Sequence, residues 1–139
     1  MMNNKQTGFS LLELMIAVLI MAAITGLVAP MYFGRQDEAN QKLARTDLKT
    51  IETALDMYRL DNFVYPSTDQ GLDALLNKPS GSPEAKNWRG PYIKTEPKDP
   101  WGNPYVYINN GSGSIEIMSY GKDGREGGEE ADADISSIN

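Results

Sequence analysis

The chain has 139 residues, a formal net charge of -6, and neither cysteine nor histidine. This length is enough for one domain with one hydrophobic core. Without cysteine there is no disulfide and no thiolate nucleophile, and without histidine there is no imidazole base near neutral pH. A zinc site built from Cys and His ligands and a Ser-His-Asp triad are therefore both excluded.

A long apolar run follows the first eight residues, in which Lys5 is the only charged side chain. Between positions 9 and 34 the only charged residue is Glu13. The run Phe9–Ala29 would form a helix of about 30 Å, which matches the thickness of a bilayer core. A membrane-spanning helix is therefore predicted over residues 9–30, and Lys5 favours a cytoplasmic N-terminus. A buried core helix is the alternative.

Glu13 is the anomaly in this run, because a carboxylate in an apolar helix costs roughly 2.5–3.5 kcal/mol on insertion scales. It indicates a functional partner, unless the side chain lies at the membrane surface or is protonated. The segment GFSLLE, from Gly8 to Glu13, resembles the processing motif of type IV pilins and type II secretion pseudopilins. The resemblance implies that residues 1–8 are a leader, which a prepilin peptidase removes between Gly8 and Phe9 before methylating the new amine. It also implies that Glu13 attracts the N-terminal amine of a neighbouring subunit during assembly.

Gly26 and Pro30 interrupt the apolar run near its expected membrane exit. Proline lacks a backbone donor and disfavours helix in the residue before it, so a kink or local melting is expected there. Farther on, apolar residues recur four and three residues apart, which is typical of one buried helix face: Ala44, Leu48, Ile51, Leu55 and Tyr58. One long helix from about Phe9 to Leu60 is predicted, and its second half belongs to a globular domain of residues 31–139.

Ser67 and Gln70, three residues apart, form a capping box that predicts the start of a short helix. The buried face of this helix would be Leu72, Leu75 and Leu76. The stretch 77–86 is rich in Pro, Ser and Gly and is predicted to be a loop.

Two strands are predicted, at residues 104–108 and 114–119. Asn110-Gly111 between them is a hairpin signal, because both residues tolerate positive φ. The expected fold class is α+β, with a long N-terminal helix packed on a small antiparallel sheet.

The segment DPWGNPY, from Asp99 to Tyr105, resembles the DPWGxPY signature of the major pseudopilin of type II secretion systems. Together with the stretches ALDMY and DQGL, it extends the similarity from Gly8 to about Ile135. The resemblance implies a pilin-like fold and a subunit that polymerises with its own copies into a short filament. It also implies minor pseudopilins and an inner-membrane assembly platform as partners. The globular domain would lie in the periplasm, on a single-pass anchor in the inner membrane.

The last twenty residues, Tyr120 to Asn139, contain six acids and two bases. Composition alone favours a solvated, partly disordered tail. The alternative is a calcium loop, because calcium takes six to eight oxygen ligands and glycines let the backbone turn its carbonyls inward. The spacing required by an EF-hand is absent.

The resemblance to major pseudopilins favours the calcium loop. It implies carboxylate ligands from Asp123, Asp132 and Asp134, and main-chain carbonyl ligands from Tyr120 and Arg125. It does not decide whether Asp132 or Asp134 is the main ligand. The chain departs from the family pattern at Tyr120, where leucine is usual, and after Ile135, where Gly-Asn-Trp is missing. Calcium would then stabilise the globular domain and permit filament assembly.

Several functions are compatible with these features, and a structural subunit of a secretion filament is favoured. A type IV pilin for adhesion or motility is the nearest alternative, but such pilins usually carry a C-terminal disulfide loop. A membrane-anchored calcium-binding module is another. An enzyme is not expected, since no phosphate loop and no nucleophile with a base can be identified, and the acidic charge disfavours nucleic acid.

In a filament, Glu52 and Asp56 could pair with Arg89 or Lys94 of neighbouring subunits.

Overall fold

The computed structural model describes residues 8–138 of the chain. Its single α-helix is followed by a small sheet in which both neighbouring pairs of strands are antiparallel, in the order β1-β2-β3. The chain divides into two compact units, of which the first ends at Gln36 and the second begins at Asp37. The elements are α1 (Leu11–Asn62), a 3-10 helix (Leu72–Leu75), β1 (Val106–Gly111), β2 (Ser114–Ser119), a second 3-10 helix (Glu130–Asp132) and β3 (Ile135–Ser136).

The core of the second unit is built on one face of α1, as the spacing of its apolar residues predicts. Leu55 and Tyr58 are completely buried, and all the residues of the predicted stripe are buried with them. They pack with Leu75 from the 3-10 helix, Ile117 from β2 and Ile135 from β3. Burying a side chain such as Leu55 contributes about 1.5–3 kcal/mol, so this face holds the sheet and the helix together.

The helix continues through Pro30, so the local melting expected at Gly26 and Pro30 is not observed. Proline removes one backbone donor from the helix, and the residue four positions earlier is Gly26. The loss is confined to one hydrogen bond of the ladder, which a long apolar helix tolerates.

The capping box at Ser67 is confirmed, although the element it starts is different from the prediction. The Ser67 N–H donates to Gln70 Oε1 at 2.9 Å, and the Gln70 N–H donates to Ser67 Oγ at 3.2 Å. These bonds close a turn that ends at Gly71, where φ is 60°, and the 3-10 helix begins only at Leu72. The positive φ of Gly71, which glycine adopts readily, prevents the turn from growing into an α-helix.

The hairpin lies two residues later than predicted. Asn110 and Gly111 belong to β1, and the two-residue turn is Ser112-Gly113, with φ values of 55° and 82°. Two positive φ values are what a type I′ hairpin turn requires. The register shifts between Asn109 and Gly111, which pairs with Ser114 at the end of the hairpin. Asn110-Gly111 is the stronger turn signal in the sequence. The turn nevertheless forms at Ser112-Gly113, because Gly111 pairs with Ser114 in the strand register.

The C-terminal stretch is not the disordered tail that composition favours. It contains a 3-10 helix and β3, which pairs with β2 through Met118 opposite Ser136 and Ser119 opposite Ile135. Ile135 is buried in the core. Ile135, which follows the acidic stretch, therefore anchors this end of the chain in the core beside β2.

The DPWG segment is a tight turn built around the buried carboxylate of Asp99. Its Oδ1 accepts the N–H groups of Trp101 at 3.1 Å and Asn103 at 2.8 Å. Its Oδ2 accepts the hydroxyl of Ser119 at 2.7 Å, which ties the turn to β2. Charge-assisted hydrogen bonds of this kind are the strong ones in proteins, so this carboxylate is a structural anchor.

We expect Asp99→Ala to destabilise the globular unit by about 2–4 kcal/mol, because the buried Ser119 hydroxyl and the partly buried N–H groups of Trp101 and Asn103 would lose their acceptor. Thermal unfolding of the full chain in detergent, followed by circular dichroism, measures the change. The matched control is Asp69→Ala, which removes an exposed carboxylate. Equal melting temperatures for the two variants would contradict the anchoring role of Asp99.

Candidate functional site

The first candidate site is the start of α1. Gly8 and Phe9 are exposed and precede the helix, while residues 1–7 of the predicted leader lie outside the described residues. The Ser10 N–H donates to Glu13 Oε2 at 3.3 Å, and the Glu13 N–H donates to Ser10 Oγ at 3.2 Å. Ser10 and Glu13 therefore form a reciprocal capping box at the helix N-terminus. The sequence carries the signal for this box, Ser-x-x-Glu, at positions 10–13.

This geometry gives Glu13 a role within its own chain. Its carboxylate lies in the first turn, where it satisfies a free N–H and complements the positive end of the helix dipole. An acid at this position is less anomalous than one in the middle of an apolar helix.

The apolar half of α1 has no cover of its own. The helix is long and apolar enough to cross a membrane. All of its large apolar side chains from Leu11 to Val28 are exposed, with Leu11 at 79% and Leu27 at 76%. Side chains exposed all round a helix need a bilayer or other apolar helices around them.

The second candidate site is the acidic segment between β2 and β3, which holds every residue predicted as a calcium ligand. The segment closes on itself, because the Lys122 N–H donates to the Ala131 carbonyl at 3.0 Å. The Gly127 N–H donates to Asp134 Oδ2 at 2.9 Å. Four glycines with positive φ provide the turns: Gly121, Gly124, Gly127 and Gly128. We call the segment from Tyr120 to Asp134 the acidic loop.

The oxygen atoms of the acidic loop fit calcium in chemical type. Asp123, Asp132 and Asp134 offer carboxylates, and Tyr120 and Arg125 offer main-chain carbonyls in the same closed segment. The Arg125 N–H donates to Asp123 Oδ1 at 3.1 Å, which occupies one carboxylate oxygen. Within residues 8–138 no three acidic side chains converge closely enough to hold an ion by themselves. Bound calcium would therefore need main-chain oxygens as well.

Side chains from outside the acidic loop connect it to the rest of the globular unit. Lys122 Nζ lies 3.1 Å from Asp37 Oδ2 on α1. Gln41 Nε2 donates to the Glu130 carbonyl, and Asn103 Nδ2 donates to the Gly121 carbonyl at 3.3 Å. A conformational change in the acidic loop would therefore alter its hydrogen bonds to α1 and to Asn103 of the DPWG turn.

Three aspartates of α1 are each engaged by a tyrosine hydroxyl. Tyr105 donates to Asp47 at 3.0 Å, Tyr65 to Asp56 at 2.7 Å and Tyr92 to Asp61 at 2.7 Å. Burial is the main cause that raises the pKa of each of these tyrosines, and the neighbouring carboxylate adds to it. The hydroxyls therefore remain protonated donors at neutral pH.

These contacts bear on the proposed pairing between subunits. Asp56 accepts a hydrogen bond inside its own chain, and Arg89 Nε lies 4.0 Å from the Asp61 carboxylate. Glu52 and Lys94 are exposed. Pairing of Asp56 or Arg89 across subunits would thus have to share groups that already have a partner, and it stays a prediction.

Two family models match the chain in succession. The prokaryotic N-terminal methylation motif matches residues 3–29, and the model of type II secretion system protein G matches residues 31–138. The class of protein is therefore a pilin-like subunit with a methylation-type N-terminus. The chain belongs to the protein G family of type II secretion systems.

Individual relatives agree with this family. The type II secretion system core protein G of Pseudomonas aeruginosa is 49% identical over 139 residues, covering 99% of this chain and 98% of the relative. That of Vibrio cholerae serotype O1 is 52% identical over 138 residues, covering 98% and 94%. The crystal structure of the major pseudopilin from enterohaemorrhagic Escherichia coli superposes with a TM-score of 0.65 at 45% identity, covering 76% of this chain and 91% of that one. The pilin-like fold is thereby confirmed.

The glycines of the acidic loop provide a test of its closed geometry. Gly127 and Gly128 have φ values of 94° and 97°, so alanine is strained at both positions, by about 1–2 kcal/mol. A Cβ atom at Gly127 would meet nothing within 4 Å, whereas one at Gly128 would collide with the Asp132 carbonyl. We expect Gly128→Ala to lower the melting temperature and the protease resistance of the acidic loop more than Gly127→Ala does. Identical losses would show that the loop is not closed at Asp132.

Proposed function

We propose that the chain is the major structural subunit of a type II secretion pseudopilus. It would polymerise into a short periplasmic filament that drives export of folded proteins across the outer membrane. The observation that carries the proposal is the uncovered apolar half of α1 on a chain of the protein G family. The role is structural rather than catalytic, and the minor pseudopilins and the inner-membrane assembly platform would be its partners.

We propose a membrane precursor that is processed at its N-terminus. Prepilin peptidase would cleave between Gly8 and Phe9 and methylate the new amine, which the match of the methylation motif supports. The two residues are exposed and lie outside the helix, so the scissile bond is accessible. Lys5 would keep the leader in the cytoplasm, and the unit from Asp37 onward would lie in the periplasm.

Glu13 would then change partners during assembly. In the single subunit its carboxylate completes the capping box with Ser10. In the filament it would attract the ammonium group of Phe9 from a neighbouring subunit. Opposite charges attract more strongly in an apolar surrounding than in water, and each charge offsets part of the other's desolvation cost.

The Glu13→Gln variant separates the charge of this residue from its capping role, because glutamine can also complete a capping box. We expect it to insert and to be processed normally but to form few or no filaments, as judged by electron microscopy and shearing. Ser10→Ala is the complementary variant, which removes the cap and keeps the charge. We expect it to assemble better than Glu13→Gln.

Mass spectrometry of the mature chain provides the control for both variants. A mass lacking residues 1–8 and carrying one methyl group shows that processing is intact. Normal filaments from processed Glu13→Gln would refute the charge-based role of Glu13. If the chain without substitutions is cleaved and methylated but never forms filaments, the filament function itself is refuted.

We further propose that the acidic loop binds calcium through the carboxylates of Asp123, Asp132 and Asp134 and the carbonyls of Tyr120 and Arg125. A divalent cation supplies positive charge that offsets repulsion among these acids. The chain's own part is to hold the loop closed, through the Lys122 N–H on Ala131 and the pairing of β3 with β2. The bond between Lys122 and Asp37 and the bond from Gln41 to the Glu130 carbonyl would transmit the stability of the loop to α1.

Calcium titration tests this proposal. We expect millimolar calcium to raise the melting temperature of the full chain, since saturation about 100-fold above Kd stabilises a protein by about 2.7 kcal/mol. Asp132→Asn and Asp134→Asn should abolish the rise. The control is Glu129→Gln, which removes an acid of the same loop that is not a proposed ligand and should leave the rise unchanged. A melting temperature that calcium does not alter would contradict the site.

A further inference from the structure

A closed ring of hydrogen bonds joins the base of the acidic loop to the DPWG turn. Ser119 Oγ donates to Asp99 Oδ2 at 2.7 Å and accepts the Gly121 N–H at 3.2 Å. The Gly121 carbonyl accepts a bond from Asn103 Nδ2 at 3.3 Å, and the Asn103 N–H donates to Asp99 Oδ1 at 2.8 Å. The peptide groups on both sides of Gly121 are therefore held by side chains from outside the acidic loop.

This ring fixes the direction of the Tyr120 carbonyl, which is one of the proposed calcium ligands. The Tyr120 carbonyl and the Gly121 N–H belong to one planar trans peptide group, so they point in opposite directions. Because the N–H is directed at Ser119 Oγ, the carbonyl is directed away from it. The protein itself therefore sets the direction of this ligand.

The Asn103 side chain also supports the turn that carries Asp123. Besides the Asn103 amide, the Gly121 carbonyl accepts the Gly124 N–H at 3.4 Å, which closes a turn over residues 121–124. A Cβ atom at Gly124 would lie 3.1 Å from the Asn103 side-chain amide, so this amide fills the space beside Gly124. Asn103 therefore lies against both ends of the turn on which Asp123 is placed.

We propose that Asn103 is a positioning residue for the calcium site, an inference that rests on the calcium binding proposed above. Its amide holds the turn at Gly121, and through this turn it keeps the Tyr120 carbonyl and the Asp123 carboxylate in place for the ion. A loop that is already ordered loses less conformational freedom when its ligand binds. Removal of a hydrogen-bonding partner that orients metal ligands typically weakens metal binding by about 10–100-fold.

The Asn103→Asp variant distinguishes positioning from charge, because the two effects predict changes of opposite sign. Aspartate has nearly the same shape as asparagine, but its carboxylate cannot donate to the Gly121 carbonyl. By charge alone, a further carboxylate beside the acidic loop would tighten calcium binding. We expect instead that Asn103→Asp weakens calcium binding by about 10–100-fold, and that the uncharged variant Asn103→Ala weakens it as well.

Isothermal titration calorimetry of the full chain in detergent measures the Kd for calcium of each variant. The control is Asn87→Asp, which makes the same change of charge at an exposed residue outside the acidic loop and should leave the Kd nearly unchanged. Amide hydrogen exchange of the calcium-free chain is the second readout. We expect the N–H groups of Lys122 and Gly124 to exchange faster in Asn103→Asp than in the unmodified chain, because the turn opens more often.

The outcomes separate failure of the positioning role from failure of the calcium site. If the unmodified chain binds calcium and Asn103→Asp binds it equally well or more tightly, the positioning role is overturned and the calcium site stands. Unchanged affinity in Asn103→Ala would overturn the role too, even if the melting temperature fell, because the contribution of Asn103 would then be to stability alone. If the unmodified chain does not bind calcium, both proposals are wrong.

Discussion

Burial of one face of α1 is the interaction on which the globular unit depends. Leu55 and Tyr58 lie at its centre. Side chains from all three strands and from the 3-10 helix Leu72–Leu75 pack against this face. Polar contacts also converge on α1, because the hydroxyls of three tyrosines donate hydrogen bonds to its aspartates Asp47, Asp56 and Asp61. The buried face of α1 therefore positions the sheet and the first 3-10 helix.

The acidic loop shows how a segment with little apolar surface can still be ordered. Its ends are held by the pairing of β3 with β2 and by the buried Ile135, and its middle is held by main-chain hydrogen bonds. Its acidic side chains lie close in sequence, and a cation held by their oxygens together with main-chain carbonyls would offset their repulsion. The proposed calcium site is a consequence of this closed frame, and its anchors on Asp37 and Gln41 connect it to α1.

Two surfaces of α1 are left without cover by the chain itself. One is the apolar half, which is exposed on all sides, and the other is the exposed side of its globular part, where the hydroxyls of Thr46, Thr50 and Thr53 are satisfied within the helix. Both would lose apolar exposure in contact with bilayer or with further copies of the helix. Assembly with other subunits would cover these surfaces, which agrees with the place of the chain in the protein G family.

The sequence by itself determined the apolar half of α1, the buried stripe and the start of the turn at Ser67, because the spacing of side chains along one segment records which of them must be buried or capped. The family was also recognisable from its local motifs. Only the tertiary structure decided the hairpin turn at Ser112-Gly113, the third strand and the partners of the helix aspartates. Each of these depends on which distant segment comes to lie alongside, and strand register and side-chain reach are settled only when the core packs.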